Sequence, residues 1–257
     1  MTQMLKFDTV TARRIESAYT TADVVAQRRE VLDLLALRPG ETVVDIGAGP
    51  GFLAAEMAAA VGDSGRVYAV DPSESMRTLA RGRVGVIDVR DGAADALPLP
   101  DASVDAAVTT QVLEYVADLP GALAELRRVL RPGGRVLILD TDWDSIVWHS
   151  RDDDRTRRVL AAWQDHLADP HLPRRLAGAL DAAGFAVTPP RVIVLLNTGA
   201  ARDTFSAGLV PLIADFVTGR CGLGADEVQA WADDVASLGD DTFFSLNRYV
   251  FLASAPA

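Results

Sequence analysis

Residues 41–57 constrain this chain more than any other stretch: Glu-Thr-Val-Val-Asp-Ile-Gly-Ala-Gly-Pro-Gly-Phe-Leu-Ala-Ala-Glu-Met. Thr42, Val43, Val44 and Ile46 are β-branched and nearly continuous, the pattern of a strand buried on both faces of a parallel sheet. Gly47, Gly49 and Gly51 then turn the chain without Cβ atoms, so backbone N–H groups can approach a ligand closely. The Ala-rich run that follows reads as a helix whose positive end faces that ligand. The spacing is Gly-x-Gly-x-Gly, whereas the dinucleotide fingerprint carries its third glycine one place later. Asp45 and Ala48 sit in or beside this turn. The Asp45 carboxylate, two residues before Gly47, would repel a pyrophosphate and suits a cationic ligand, or else orients the loop.

A second strand, Gly65–Val70, closes on Asp71, about twenty residues past the loop, where an acid accepts hydrogen bonds from ribose hydroxyls. Its two oxygens match the two donors of a cis-diol. Pro72 and Ser73 start the next helix, which places Met76 in its first turn. A third segment, Leu126-Arg-Arg-Val-Leu-Arg-Pro-Gly-Gly-Arg-Val-Leu-Ile138, ends a helix and starts a strand.

With the loop Val44–Gly51, Tyr68–Met76 and Leu126–Ile138 in this order, the sequence resembles the class I S-adenosylmethionine (SAM)-dependent methyltransferases. The resemblance covers roughly the first half of the chain beyond its N-terminal helices. It implies a seven-stranded doubly wound, Rossmann-like α/β sheet whose last strand runs antiparallel between strands five and six. It implies SAM as cofactor and S-adenosylhomocysteine as product. Asp45, Gly47, Ala48, Gly49, Gly51, Asp71, Pro72 and Met76 are the cofactor-binding candidates, with Met76 against the adenine face. Relatives place an Asp after the glycine of 91–98; here that position is Ala93, so Ala93–Ala94 backbone, Asp91 or Asp95 is left to meet the adenine.

The remaining chain is expected to frame an acceptor site. Residues 7–37 read as N-terminal helices, broken at Tyr19-Thr-Thr, and Tyr19 is a candidate cover over the cofactor as well as an ordinary linker aromatic. A third strand is expected at Val84–Arg90 and a fourth at Ala106–Thr110. Gln111-Val-Leu-Glu-Tyr115 follows at the strand ends, where an open parallel sheet binds its ligand. Gln111 is a candidate for both cofactor and catalysis, and the Asn/Asp-Pro-Pro-aromatic motif of base methyltransferases is absent there. After the fifth strand comes Asp140-Thr-Asp-Trp-Asp-Ser-Ile-Val-Trp-His149, which offers Asp142 and His149 as bases and Trp143 as a substrate contact. Asp140 and Asp142 supply too few oxygens for a hard cation, and no metal is expected. His166 reads as helix surface and His171 as a turn; Glu114 is a further candidate base. Residues 198–241 read as a helical lid inserted before the last strand, with Phe205, Leu209 and Phe216 lining the acceptor pocket.

The whole is expected to be one domain: N-terminal helices over 1–38, a SAM-binding core over 39–197, the lid, and a last strand within 242–257. A net charge of −11 argues against a nucleic-acid partner, which would require a basic surface. No segment has the apolar length of a membrane span, and no basic-then-apolar leader opens the sequence. A single cysteine, Cys221, excludes an intrachain disulfide. A cytoplasmic enzyme is expected, with a homodimer left open. The Gln111–Tyr115 segment and the ending Phe244-Ser-Leu-Asn-Arg-Tyr249 resemble the ubiquinone/menaquinone and natural-product methyltransferases. That points to methyl transfer onto a small quinone-like or natural-product acceptor. Two rivals stand beside it: a SAM-binding protein that catalyses a reaction such as cyclisation, and a nicotinamide oxidoreductase, which the glycine spacing disfavours.

Overall fold

The computed structural model describes residues 9–83, 87–201 and 203–256. The first residues of the expected N-terminal helix (7 and 8), the start of the expected third strand (84–86), position 202 of the lid and residue 257 lie outside them.

Chain order runs α1 (Thr9–Ala18), α2 (Ala22–Leu35), β1 (Thr42–Ile46), α3 (Phe52–Val61), β2 (Arg66–Asp71), α4 (Glu74–Arg81), β3 (Ile87–Asp91) and β4 (Val104–Thr110). It continues through α5 (Leu119–Val129), β5 (Leu130–Thr141), β6 (Val147–Trp148), α6 (Asp153–Trp163), α7 (Pro173–Ala182) and β7 (Ala186–Val187). The last elements are β8 (Arg191–Thr198), α8 (Phe205–Val217), α9 (Ala225–Ala236) and β9 (Phe243–Ser254). Local chemistry sets these boundaries. Ser73, Asp118, Asp152 and Thr204 each accept a backbone N–H as N-caps of α4, α5, α6 and α8. Ala36, in the left-handed region, ends α2 by donating to Leu32 O.

Strands β3, β2, β1, β4 and β5 are parallel neighbours in that order, and β9 runs antiparallel to β5. Arg248 pairs with Thr141 on one side and Ile193 on the other, so β9 lies between β5 and β8. This is the doubly wound sheet with a reversed last strand. It carries two additions the sequence did not announce. β5 pairs with β9 only from Arg248 to Ser254 and β8 only from Phe243 to Val250, so the two-residue strands β6 and β7 pair with the end each leaves free. A register shift between Val104 and Ala106 also admits Leu130 to the ladder, so β5 begins before the expected Arg131–Gly134 break rather than after it.

Alternate residues of the buried strands feed opposite faces. Val43, Val67, Ala69, Val108 and Leu137 pack with α2 and α3, while Val44, Ile46, Val70, Ala107 and Ile138 pack with α5 and α7. A third apolar cluster sits beyond the strand ends. It joins α1, α6, α8 and α9 to Trp143, Trp148, Phe244 and Leu246. Trp231, Ile213 and Phe244 are wholly enclosed there, each contributing about 1.5–3 kcal/mol of burial. The segment between β8 and β9 is therefore tied into the core at Phe244 and at α1.

Gly51 serves this packing. Its φ is +81°, and a Cβ there would stand 2.8 Å from Ala80 of α4. Gly51→Ala is expected to lower the unfolding free energy in urea by about 1–3 kcal/mol. Gly133→Asn serves as the control, since Gly133 has φ +73° with open space around it and Asn tolerates that backbone. Equal stability of both variants would remove the packing role.

Candidate active site

The strand ends and the third apolar cluster enclose one cavity of about 600 Å³, a size that suits small-molecule ligands. At one end lie Asp45, Gly47, Ala48, Gly49, Asp71, Pro72, Met76 and the segment Gly92–Asp95. At the other lie Tyr19, Gln111, Glu114, Tyr115, Trp143, Trp163, His166, Phe205, Leu209, Leu212 and Arg248.

Backbone hydrogen bonds fasten the glycine turn to β2. Gly47 N and Ala48 N both donate to Val70 O, at 2.7 and 3.1 Å. Gly49 N donates to Asp71 Oδ2 at 2.9 Å, and Ser73 N to Asp71 Oδ1 at 2.8 Å. Each oxygen keeps a lone pair for a further donor. Burial pushes the Asp71 carboxyl above its ordinary value, opposed by these two N–H groups. Gly47 must lack a side chain because a Cβ would meet Val112 at 2.3 Å. Gly49 has φ +53°, and the nearest atom to its absent Cβ is Gly47 O at 4.0 Å, so its open side faces cavity space.

Asp45 is 1% exposed, and its Oδ2 has no hydrogen-bond partner. Burial, reinforced by the charge of Asp71, pushes its carboxyl up to about 8. Such a buried, unmatched acid aimed at a cavity is complementary to a cationic ligand group.

The aromatic end holds a denser set of buried polar groups. Glu114, 1% exposed, accepts at Oε2 from Thr141 N and Trp143 Nε1, each at 3.2 Å. Burial raises its carboxyl to about 7 against the opposing charge of Arg248 and these donors. Asp140 accepts from Val112 N at 3.0 Å, and burial with the nearby Glu114 lifts its carboxyl well above the usual range. Gln111 has φ +58°, a strained backbone for a side chain of this kind. Its Oε1 accepts from Thr141 Oγ1 at 2.9 Å, and its Nε2 is unpartnered. His166 is wholly buried, stacked on Trp163 with ring centroids 3.7 Å apart. Its Nδ1 faces the Trp163 carbonyl, which can only accept, so Nδ1 carries the proton and the unpartnered Nε2 presents a lone pair. Burial lowers this imidazole to about 4.

Several expectations change here. Gly51 does not line the cavity but lets α4 pack close. His149 is exposed, and its N–H donates to Phe243 O; it lies outside the cavity because β6 pairs with β9 at the sheet's end and turns the residue outward. His166 is the enclosed histidine instead, since α6 and its terminal turn pack against α8 rather than water. Asp142 is also outside the cavity. It caps Asp144 N and receives Arg174 Nε at 2.6 Å and His171 Nδ1 at 3.2 Å. These partners hold its carboxyl below the ordinary value although burial opposes them. Asp142, Asp144 and His171 converge within 4.8 Å, and the Arg174 guanidinium bridges both carboxylates. Phe216 stands behind the wall, edge-on to Trp163. Ala93 and Ala94 line the cavity as placed.

Arg28 and Arg248 escaped sequence reasoning. Arg28 donates to the Tyr19 carbonyl and to Glu56, and its guanidinium lies 4.9 Å from the Phe52 ring. It holds the α1–α2 linker over the glycine turn. Arg248 had a readable signal, an arginine in the inward phase of an apolar strand.

Comparison with known proteins agrees with this geometry. The Methyltransf_11 family, described as "Methyltransferase domain", matches residues 44–138. A 37.1 kDa protein in transposon Tn4556 of Streptomyces fradiae is 35% identical over 94% of this chain and 70% of its own length. The ubiquinone/menaquinone biosynthesis C-methyltransferase UbiE of Enterobacter is 38% identical, over 44% of this chain and 47% of that protein. The UbiE alignment thus takes in about half of either protein. In fold, the phosphoethanolamine N-methyltransferase 2 of Haemonchus contortus, solved with S-adenosyl-L-methionine, matches with a TM-score of 0.61. That match is at 17% identity and covers 98% of this chain and 58% of that one. The chain belongs to the class I SAM-dependent methyltransferases, on their UbiE-like side. Its cofactor is SAM, and the unpartnered Asp45 oxygen and the open side of Gly49 fit that group.

The raised carboxyl of Asp45 makes a stability prediction. Its folded value is about 8 against an ordinary 3.8, so its contribution to the ligand-free fold is complete below pH about 4. That contribution is lost as pH rises through about 8. Asp45→Asn should flatten the decline in urea midpoint between mildly acidic and mildly alkaline pH, and should weaken SAM binding. A variant that keeps the wild-type slope would assign the slope to another group. Asp71→Ala should cost roughly 1–3 kcal/mol of SAM affinity by calorimetry, the scale of a charged hydrogen bond; unchanged affinity would exclude Asp71 from the cofactor site.

Proposed function

We propose that this enzyme transfers a methyl group to a small, largely apolar organic acceptor held between the glycine turn and α8. The carrying observation is that one cavity joins the glycine-turn end to an aromatic end that contains a titratable carboxyl, Glu114. Bound SAM would supply an electrophilic methyl to an acceptor oxygen or carbon, with S-adenosylhomocysteine as the leaving product and the acceptor's proton left to be taken up. Asp45 would take the ammonium group, Asp71 the ribose diol, Met76 the adenine face and the Ala93–Asp95 backbone the adenine edge. What this chain then contributes is position, exclusion of water and a proton acceptor.

Glu114 is the proposed base. A base is most effective with a value near the working pH; Glu114 stands at about 7 and His166 at about 4. Position removes His149, which is exposed and does not line the cavity. The His166 Nε2 lone pair and Gln111 Nε2 offer orienting hydrogen bonds instead. α8, with Phe205, Leu209 and Leu212 on the cavity wall, serves as the lid. The likeness to UbiE, over 44% of this chain, supports a ring-bearing acceptor.

A metabolite screen with methyl-labelled SAM tests this reading. Label in a small molecule together with S-adenosylhomocysteine release supports it; conversion of an acceptor without label or S-adenosylhomocysteine would establish a non-methylating reaction such as cyclisation. With the acceptor in hand, wild-type kcat/KM should rise with pH through about 7 as Glu114 ionises. Glu114→Gln should lower the rate roughly 10²–10⁴-fold and lose that limb, with SAM affinity retained. His149→Gln should keep both rate and profile. A limb that survives in Glu114→Gln would exclude Glu114 as the base.

A further inference from the structure

Strand β9 sends Phe244, Leu246 and Val250 inward and leaves Ser245, Asn247 and Tyr249 half-exposed. Arg248 falls in the inward series. It is 3% exposed and lines the acceptor end of the cavity. Its Nη1 donates to Thr141 Oγ1, which leaves the Nε edge of the guanidinium without a partner. Among the described residues no carboxylate stands within salt-bridge distance of it. The Phe205 ring, 4.9 Å from Cζ, offers the charge only its π face.

Four other titratable groups lie near: Glu114, Asp140, Tyr19 and Tyr115. Both tyrosines are neutral at physiological pH, and burial favours the neutral form of both carboxyls. Arginine keeps its proton in proteins. The ligand-free cavity therefore contains a buried cation whose counter-charge is neither close nor fully ionised. An unpaired buried charge is among the least favourable arrangements a fold can hold, unless a ligand completes it.

We propose that Arg248 anchors the acceptor, and that the molecule methylated here is an apolar acid whose carboxylate lies against this guanidinium. The inference rests on the methyltransferase reading of the cavity and names the substrate class within it. A carboxylate suits the open Nε edge because two oxygens can face adjacent N–H donors. Tyr115, Trp143, Trp163, Leu209 and Leu212 take the apolar body. Glu114 meets the hydroxyl or acidic C–H that is methylated. Neutral amides of the same shape leave Arg248 buried and unmatched, and are rejected for that reason.

The test compares matched aromatic acids and primary amides, namely benzoate with benzamide, salicylate with salicylamide and 1-naphthoate with 1-naphthamide. Each is titrated at neutral pH into the protein saturated with S-adenosylhomocysteine, by ligand-observed NMR. Wild type should bind the acids roughly tenfold or more tighter than the amides, the scale of a charge-assisted pair. Arg248→Met should bring each pair near parity, with S-adenosylhomocysteine affinity within about twofold of wild type, and Arg248→Lys should keep part of the preference. Should Arg248→Met not fold, the wild-type comparison and Arg248→Lys decide. Failure of every acid to bind, equal binding of acids and amides by wild type, or a preference that survives in Arg248→Met would overturn the anchor. S-adenosylhomocysteine binding without acid preference refutes the anchor alone. Absence of S-adenosylhomocysteine binding in wild type refutes the methyltransferase reading instead.

Discussion

The Asp71 carboxylate ties the crevice together. One oxygen accepts from the glycine turn at Gly49 and the other from Ser73 at the start of α4. A single side chain therefore fixes two loops that leave neighbouring strands, and Val70 O, one residue earlier, fixes the turn's other two N–H groups. The turn is thus held open by β2 before any ligand arrives. Arg77 extends the arrangement, donating to Asp71 O and Asp91 and so linking the ends of β2 and β3. Preorganisation of this kind lowers the ordering cost on binding.

The same crevice concentrates charges that burial disfavours. Asp45, Glu114 and Asp140 are each nearly inaccessible, and each carboxyl is pushed upward by loss of water. They divide by partners and by access to the cavity. Asp140 accepts from the backbone at Val112 and so positions the Gln111 turn; its Oδ2 is unpartnered, but the residue does not line the cavity. Glu114 is held by two donors on one oxygen only. Asp45 keeps an oxygen with no partner at all. The less a buried group is satisfied by the protein, the more its position makes sense through a ligand. By that measure Asp45 and Arg248 mark the two ends of the cavity as opposite in sign, one complementary to a cation and the other to an anion.

How much of this was legible in the sequence depended on the range of the interaction involved. The β-branched run at Val43–Ile46, the glycines and Asp71 are local patterns, and they led directly to the sheet and the cofactor end. Gly51 belonged to the same pattern, yet its φ of +81° and its contact with Ala80 serve helix packing, which no spacing reveals. The histidines show the limit more sharply. His149 follows the strand whose end borders the crevice, and proximity in sequence favoured it. His166, next to Asp165 in a charged helix, looked exposed, but α8 arrives from some forty residues later and covers it. Arg248 lay in plain view, because Phe244, Leu246 and Val250 set a period of two that it interrupts. An arginine in the inward phase of a strand is a rare enough placement to be read as functional.

The two halves of the cavity also differ in how they are built. The cofactor end is built mainly from strand ends and the turns and helix starts that follow them, from Asp45 to Asp95, and the Methyltransf_11 match over residues 44–138 takes in that stretch. The acceptor end is assembled from α1 and its linker at Tyr19, the single helical turn Leu113–Tyr115 that carries Glu114, the end of α6, α8 and β9. Those elements are distant in sequence, and the pairing of β9 with β5 is what brings Arg248 to Thr141. A change at any one contributor alters cavity shape while the glycine turn stays fastened to β2. The sheet can therefore keep one cofactor while its cover is rebuilt around different acceptors, and the ionic group that selects the acceptor sits on the strand that closes the sheet last in sequence.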